Sequence, residues 1–400
     1  MRRTLIRHTI MQPFILSISL ALFVIYAALI LYYALSWNSI PSFARPTNNE
    51  QRTTLSIIIP ARNEEQNIVS CLDSICNQSY PKHLYEVIVV DDHSTDNTVA
   101  IVKKYAAQNV KLISLKDELD GRQLNAYKKK AIEIAIAQST GELIITTDAD
   151  CYAEENWLQT ITAFYQETNA AFIAMPVSYN CNNRFIEIFQ ALDFMTLQGI
   201  TGASVYKKIH SMCNGANLAY TKKVFEEVNG FKGIDNIASG DDMLLMHKIY
   251  KQHPEKVFFL KSKDVIVQTA PMKTLKDFFN QRIRWASKAD KYDDKRIFSV
   301  LLLVYLFNVL LLVLPVISLI KNYQLSIINY QFTLFQFWLG LLISKTIIEL
   351  IFLFPVANFF TKQSLLWLFP VAQPFHILYT VIAGWLGKFG TYKWKERKVQ

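Results

Sequence analysis

This sequence predicts an α/β domain, a mostly parallel sheet flanked by helices, joined to transmembrane α-helices. Three observations carry the prediction. Short apolar runs alternate with helix-like stretches through the middle of the chain, the pattern of strands joined by crossover helices. Four segments are long and apolar enough to cross a bilayer, which needs about 20 residues each: Phe14 to Leu35, then Ile297 to Ile320, Gln331 to Pro355 and Ser364 to Gly387. Acidic residues gather where the apolar runs end, and in an open α/β sheet ligands collect beyond the carboxyl ends of strands.

The 400 residues, 51% of them hydrophobic, suffice for one large domain and a substantial membrane part. Nucleic acid is a common partner for a chain with a charge of +9, but no basic stripe interleaved with aromatics is present. That excludes nucleic acid, and anionic lipid headgroups and a charged nucleotide substrate account for the excess. Cys71, Cys76, Cys151, Cys181 and Cys213 are odd in number and lack zinc-like Cys-x-x-Cys spacing, so they read as reduced, buried thiols of a cytosolic domain.

Residues 1–37 read as a retained anchor. The apolar stretch after Met1-Arg2-Arg3 exceeds the roughly 7–15 residues of a cleaved signal, and no clear small-x-small site follows it. Residues 38–54, with Pro41 and Pro46, form a linker, and 55–273 the α/β domain. Within it Leu55 to Ile59 is a strand broken by Pro60, Glu64 to Ile75 a helix, and Tyr85 to Val90 a second strand. Asp96 caps a helix from Asn97 to Ala107. Val110 to Leu115, a helix about Lys128 to Gln138, and Leu143 to Thr147 repeat the unit. Ala171 to Val177 is a further strand, ahead of a long helical stretch from Arg184 to Gly199. Residues 274–296 form a basic, aromatic amphipathic helix, and 297–400 a membrane region of about three helices with a basic tail.

The strand ends nominate the chemistry. Leu143 to Thr147 delivers Asp148 and Asp150, two carboxylates suited to a hard divalent cation, Mg or Mn, shared with substrate phosphates; a plain acidic turn is the alternative. The first strand ends in Pro60-Ala61-Arg62-Asn63-Glu64, a turn into a helix N-terminus. The second ends in Asp91-Asp92-His93-Ser94, where Asp92 either accepts hydrogen bonds from a nucleoside or caps a helix. Lys128-Lys129-Lys130 is a solvated face, or one of the three meets a phosphate. Gly215 permits close backbone approach to a ligand, and its Asn neighbours, Asn217 among them, offer donors and acceptors; a turn before a strand is the alternative. Asp241 and Asp242 open an amphipathic helix, where the helix dipole favours them. In the functional reading Asp242 is a general base and Asp241 orients or screens it. Between Leu275 and Asp290, Arg284 and Trp285 pair a diphosphate-binding fork with a stacking platform, unless the helix simply lies on headgroups.

As a set, Pro60-Ala61-Arg62-Asn63-Glu64, Asp91-Asp92, Asp148-Ala149-Asp150, Asp241-Asp242 and Gln281-Arg282-Ile283-Arg284-Trp285 resemble, in order, the motifs of membrane-bound family 2 glycosyltransferases. The resemblance covers Leu55 to Asp290 by motif and the rest by layout. It implies a GT-A fold, a nucleotide-diphosphate sugar donor with a UDP-sugar favoured, a divalent metal (Mg or Mn), and inversion at the anomeric carbon. Carried over by position, Asp92 matches the nucleoside-binding acid, Asp148 and Asp150 the metal and diphosphate motif, and Asp242 the catalytic base with Asp241 beside it. Pro60, Arg62, Glu64 and Arg284 fall with the nucleotide-sugar, and Gly215, Asn217, Gln281, Arg284 and Trp285 with the acceptor. Asp241 stands where many relatives have Glu. Trp285 runs almost at once into membrane, which leaves little room for a gating segment and weighs against long-chain polymerisation.

The expected acceptor is lipid-linked or a cell-surface glycan. A processive synthase of the chitin or hyaluronan type is the alternative, and a catalytically silent, membrane-anchored binding subunit is the alternative of another class. Nucleotide sugars are cytosolic, so the expected location is a plasma or inner membrane, multi-pass, with the catalytic domain in the cytosol. One span before that domain and three after it then leave both termini outside. The basic residues Arg2, Arg3, Arg7, Lys388, Lys393, Lys395, Arg397 and Lys398 oppose this through the positive-inside bias, and a re-entrant C-terminal segment would reconcile the two. Lys345 and Glu349 stand four apart in the third apolar segment. They read as a neutralising pair facing the bundle interior, or as a guide for a lipid-linked acceptor.

Overall fold

The computed structural model describes residues 2–46, 52–209, 212–237, 240–288, 294–320, 324–327, 330–389, 392–394 and 397–399. The chain divides into two units, one of residues 39–272 with 393–400, the other of residues 1–38 with 273–392. Parts of the expected linker (47–51), of the amphipathic stretch (289–293) and of the basic tail lie outside the described residues.

In the first unit the β-branched runs become strands: β1 Leu55–Ala61, β2 Tyr85–Asp91, β3 Val110–Ser114 and β4 Leu143–Thr146. They are followed by β5 Tyr152–Ala153, β6 Phe172–Ala174, β7 Val177–Tyr179, β8 Leu218–Thr221, β9 Val257–Phe259 and β10 Val267–Thr269. Seven of them form one sheet in the order β3-β2-β1-β4-β8-β6-β9, and β5-β10-β7 form a second. The large sheet is mostly parallel, with β8 antiparallel to both β4 and β6. Ile57 to Ile59, Val87 to Val90 and Leu143 to Ile145 are all fully buried, as expected of strands covered by helices on both faces.

Two expected breaks fall elsewhere. β1 runs on through Pro60 to Ala61, because β4 pairs with it only from Leu55 to Ile58 and no ladder bond on that side needs the missing N–H. The single strand expected from Ala171 to Val177 is two strands in two sheets. Pro176 separates them and offers only its carbonyl, which accepts from Val267 N and Asn217 Nδ2. The helix expected from Asn97 to Ala107 is shorter, Thr98–Lys103, and its N-cap position is Asn97, not Asp96; Asp96, one residue before it, still accepts from Thr98 N at 3.0 Å. The long helix extends further than expected, Phe185–Tyr206.

The end of the sheet away from the acids is closed by a buried carboxylate. Glu86 accepts from Ser56 Oγ at 2.8 Å, from Thr140 N at 2.6 Å and Oγ1 at 2.7 Å, and from Lys111 Nζ at 2.5 Å. Burial alone would raise its pKa, but these donors hold it down at about 2. Gly141 lets β4 enter beside β1, since a Cβ there would stand 2.4 Å from Leu55 C and Ser56 N.

The second unit contains four helices long and apolar enough to cross a membrane, within Phe14–Ser39, Lys295–Ile320, Leu334–Phe359 and Gln363–Phe389. Gln331, expected inside a span, lies in the strand Tyr330–Thr333; a reciprocal capping box between Thr333 and Gln336 starts the helix at Leu334. Lys345 is fully buried and donates to Glu349 Oε1 at 2.7 Å, Glu349 Oε2 at 2.8 Å and Gln373 Oε1 at 2.7 Å. Tyr26 donates its hydroxyl to Glu349, so this internally neutralised cluster ties three of the four helices. The amphipathic helix is Leu275–Ala286, capped by Thr274.

Candidate active site

β2, β1 and β4 are neighbours in the sheet, so their carboxyl ends present Asp92, Arg62 and Asp148 along one edge. Two strand spacings, about 10 Å, separate the end of β2 from that of β4, a span suited to a nucleoside at one end and its diphosphate at the other. Across that edge the turns after β1 and β2 are laced together. Asn63 (φ 52°) and His93 (φ 59°) are both left-handed; Asn63 Oδ1 accepts from Thr95 N at 2.8 Å, and Asn63 N donates to Ser94 Oγ at 3.0 Å. Arg62 Nη1 donates to the Asp92 carbonyl at 3.0 Å and stands 3.8 Å from its carboxylate. His93 Nδ1 lies 3.0 Å from Asp92 Oδ1. Pro60 lies within β1, and Glu64 receives Asn67 Nδ2 at 2.8 Å and shapes the turn into the helix Ile68–Cys76.

The second cluster is built around one lysine. Lys128 Nζ donates to Asp148 Oδ1 at 2.8 Å and stands 3.1 Å from Asp241 Oδ2. Burial alone would lower its pKa, but Asp148, Asp241 and Asp242 raise it well above the usual lysine range, so the ammonium stays charged. Asp242 caps the helix Met243–Gln252 through Met243 N at 2.7 Å, while its other oxygen accepts from Gly215 N at 3.1 Å. Helix capping and a place in the site are therefore one arrangement. A Cβ on Gly215 would stand 3.3 Å from both Asp241 Oδ2 and Lys128 Nζ, which gives that glycine a steric reason. Thr147 Oγ1 donates to the Ala216 carbonyl at 2.9 Å and ties this turn to the end of β4.

Asp150 accepts from Thr269 Oγ1 of β10 at 3.1 Å. Behind both acids lie the buried thiols Cys71 and Cys151, whose pKa values burial, then Asp150 and Asp148, push up out of the reactive range. Among the described residues no three His, Cys, Asp or Glu side chains are grouped to hold a metal by themselves. Asp148, with 37% of its side chain exposed, and Asp150 instead offer two hard carboxylates. Such a pair suits Mg or Mn completing its shell with substrate phosphates and water.

Asn217 differs from its expected role. It is fully buried, donates to the Pro176 and Val265 carbonyls at 2.8 Å each, and accepts from Trp157 Nε1 at 3.1 Å, so it braces the start of β8 instead of facing an acceptor. Gln281, Arg284 and Trp285 lie on the helix Leu275–Ala286 of the membrane unit. There the buried arginine is Arg282, which stacks on Phe278 at 4.9 Å and Trp285 at 4.3 Å and donates to Gln281 Oε1 at 2.7 Å. Sequence reasoning left Lys128 unresolved among three lysines and did not find Thr269. A signal for the first was there to use: cations in the first turn of a helix oppose its dipole, at about 0.3–1 kcal/mol each, and need a local reason.

A parallel-rich sheet with paired acids at its strand ends, accompanied by helices long and apolar enough to cross a membrane, defines the class: a protein of GT-A fold. Family models described as Glycosyl transferase family 2 and Glycosyl transferase family group 2 match residues 56–228 and 143–386, the second more than half of the chain. This chain belongs to the family 2 glycosyltransferases. It is 29% identical over 191 residues to the glycosyltransferase AglE of Haloferax volcanii, covering 47% of this chain and 59% of that relative. It is 26% identical over 274 residues, 66% of this chain and 81% of the relative, to a dolichyl N-acetyl-alpha-D-glucosaminyl phosphate 3-beta-D-2,3-diacetamido-2,3-dideoxy-beta-D-glucuronosyltransferase of Methanococcus voltae. The mannosyltransferase PcManGT of Pyrobaculum calidifontis, solved with GDP-Man and Mn2+, shares the fold with a TM-score of 0.57 at 20% identity, over 90% of this chain and 99% of that one.

Proposed function

We propose that this glycosyltransferase is a multi-pass membrane enzyme. It moves a sugar, with inversion, from a nucleoside-diphosphate donor to a lipid-linked or cell-surface glycan acceptor. The observation that carries the reading is the charge chain from Asp148 through Lys128 to Asp241, with Asp242 fixed beside it by two backbone N–H groups. Asp92, with Arg62 and His93 against it, receives the nucleoside at the end of β2. Asp148 and Asp150 would hold Mg or Mn, which would supply positive charge to offset the negative charge growing on the leaving diphosphate. Lys128 supplies a second, permanently charged donor on the same side.

Asp242 takes the acceptor's proton as its hydroxyl oxygen bonds to the anomeric carbon and the bond from that carbon to the diphosphate oxygen breaks. Each of its oxygens has one lone pair occupied by a backbone N–H and another open to the proton. A single displacement of this kind inverts the anomeric centre. Gly215 leaves room beside Asp242, and Asp241, held by Lys128, screens the base from the metal acids. Arg284 is assigned to the leaving diphosphate, and Gln281 and Trp285 to the acceptor, by the family motif they match. The named acceptor of the Methanococcus voltae relative, a dolichyl-phosphate-linked sugar, supports a lipid-linked acceptor. Cytosolic supply of nucleotide sugars supports a cytosolic catalytic unit, and a reporter fused after Gln400 reads the side of the tail.

Asp242→Asn tests the base. It should retain donor binding by titration calorimetry and lose transfer by at least about 10³-fold; near-normal turnover removes Asp242 from that role.

A further inference from the structure

The three lysines at the start of the helix Tyr127–Gln138 have three different surroundings. Lys128 enters the site, and Lys130 makes an exposed pair with Glu133 at 2.7 Å. Lys129 is 2% exposed and turns the other way, donating to the carbonyls of Ile234 at 2.6 Å and Ile237 at 2.8 Å. Those carbonyls belong to a segment without strand or helix, residues 230–237. Gly230 (φ +47°) enters it beneath the ring of Phe225, and Gly233 (φ +88°) turns within it. The same segment is gripped from a second helix. Lys248, on the helix that Asp242 caps, donates to the carbonyls of Gly230 at 2.5 Å and Lys232 at 2.9 Å. Four carbonyls of one short segment thus receive two ammonium groups. One comes from the helix that delivers Lys128, the other from the helix that Asp242 begins.

We propose that Lys129 and Lys248 clamp residues 230–237 between these helices and so set the separation of Lys128 from the Asp241–Asp242 pair. Lys129 is then a positioning residue for the transfer step, an inference that rests on the function proposed above. Lys129 is 2% exposed, so its ammonium needs acceptors inside the protein, and the Ile234 and Ile237 carbonyls supply them. Two lysines doing this from two different helices couple those helices to each other through the segment. A shift of about 1 Å in a catalytic pair is enough to cost about 100-fold in rate, so the clamp acts on turnover rather than on donor affinity.

The test uses the full-length protein in nanodiscs, with Lys129→Met, Lys248→Met, the double variant and Lys130→Met. Lys129→Met and Lys248→Met should each lower kcat by about 10–100-fold with the donor KM within about 3-fold of the parent. The double variant should be little worse than the poorer single one, because both act on one segment. Lys130→Met should match the parent. Unchanged kcat in folded Lys129→Met, a loss confined to KM, or a lowered Tm with kcat intact overturns the proposal. If Lys129→Met does not fold, Lys248→Met decides by the same criteria. A parent enzyme that transfers no sugar, or an Asp242→Asn variant with normal turnover, instead overturns the reading of the site itself.

Discussion

Replacing Lys128 with Met removes one charge and almost no volume from the centre of the site. Its ammonium stands 2.8 Å from Asp148 Oδ1 and 3.1 Å from Asp241 Oδ2, with Asp242 also contributing to its charge balance. At an effective dielectric of about 20, each contact is worth on the order of 5–6 kcal/mol before screening. Solvent at the Asp148 side chain, 37% exposed, reduces that share. Without the ammonium the neighbouring carboxylates repel one another, and on the function proposed above the variant lacks one fixed donor to the leaving diphosphate, a loss of about 10²–10³ in kcat. Transfer rates of the full-length variant at saturating donor and pH 8 measure the effect. Turnover within about 3-fold of the parent would refute the role given to Lys128.

Glu86 makes stability depend on pH. Its folded pKa, about 2, lies below the ordinary value of 4.5, so its contribution is complete above 4.5 and disappears as pH falls from there through 2. The difference corresponds to about 3 kcal/mol, and Glu86→Gln should lower stability at pH 7 by a similar amount while flattening the acid dependence; equal melting curves at pH 7 would contradict this. Lys345→Met leaves Glu349 buried without its cation, at about 3–5 kcal/mol, and adding Glu349→Gln should recover much of the loss; thermal melting in detergent checks both, and a single variant as stable as the parent would show the cluster to be dispensable.

Much of this enzyme is readable in its sequence because the signals are local. Leu143 to Thr147 is a strand by its side chains alone, and the acids that follow it must emerge at its end. The four apolar helices need nothing beyond length and hydropathy. What escaped depends on contacts distant in sequence. Pro60 is harmless only because β4 has already parted from β1 at Ile58, and Ala171 to Val177 divides only because Pro176 meets β10. Asn217 resembles a polar residue beside a flexible glycine until Trp157, Pro176 and Val265 close around it. Lys128, Lys129 and Lys130 are identical in one dimension and acquire separate roles from Asp148, Ile234 and Glu133.

On the function proposed above, a sugar leaves a nucleoside diphosphate held at the ends of β2 and β4 with the help of a metal. Purified protein in nanodiscs, given a panel of UDP- and GDP-sugars with a membrane lipid extract, with and without Mn or Mg, tests it through release of nucleoside diphosphate. One donor class should be consumed, only with metal present, and Asp150→Ala should abolish that release. Equal release without metal, or undiminished release by Asp150→Ala, would contradict the claim.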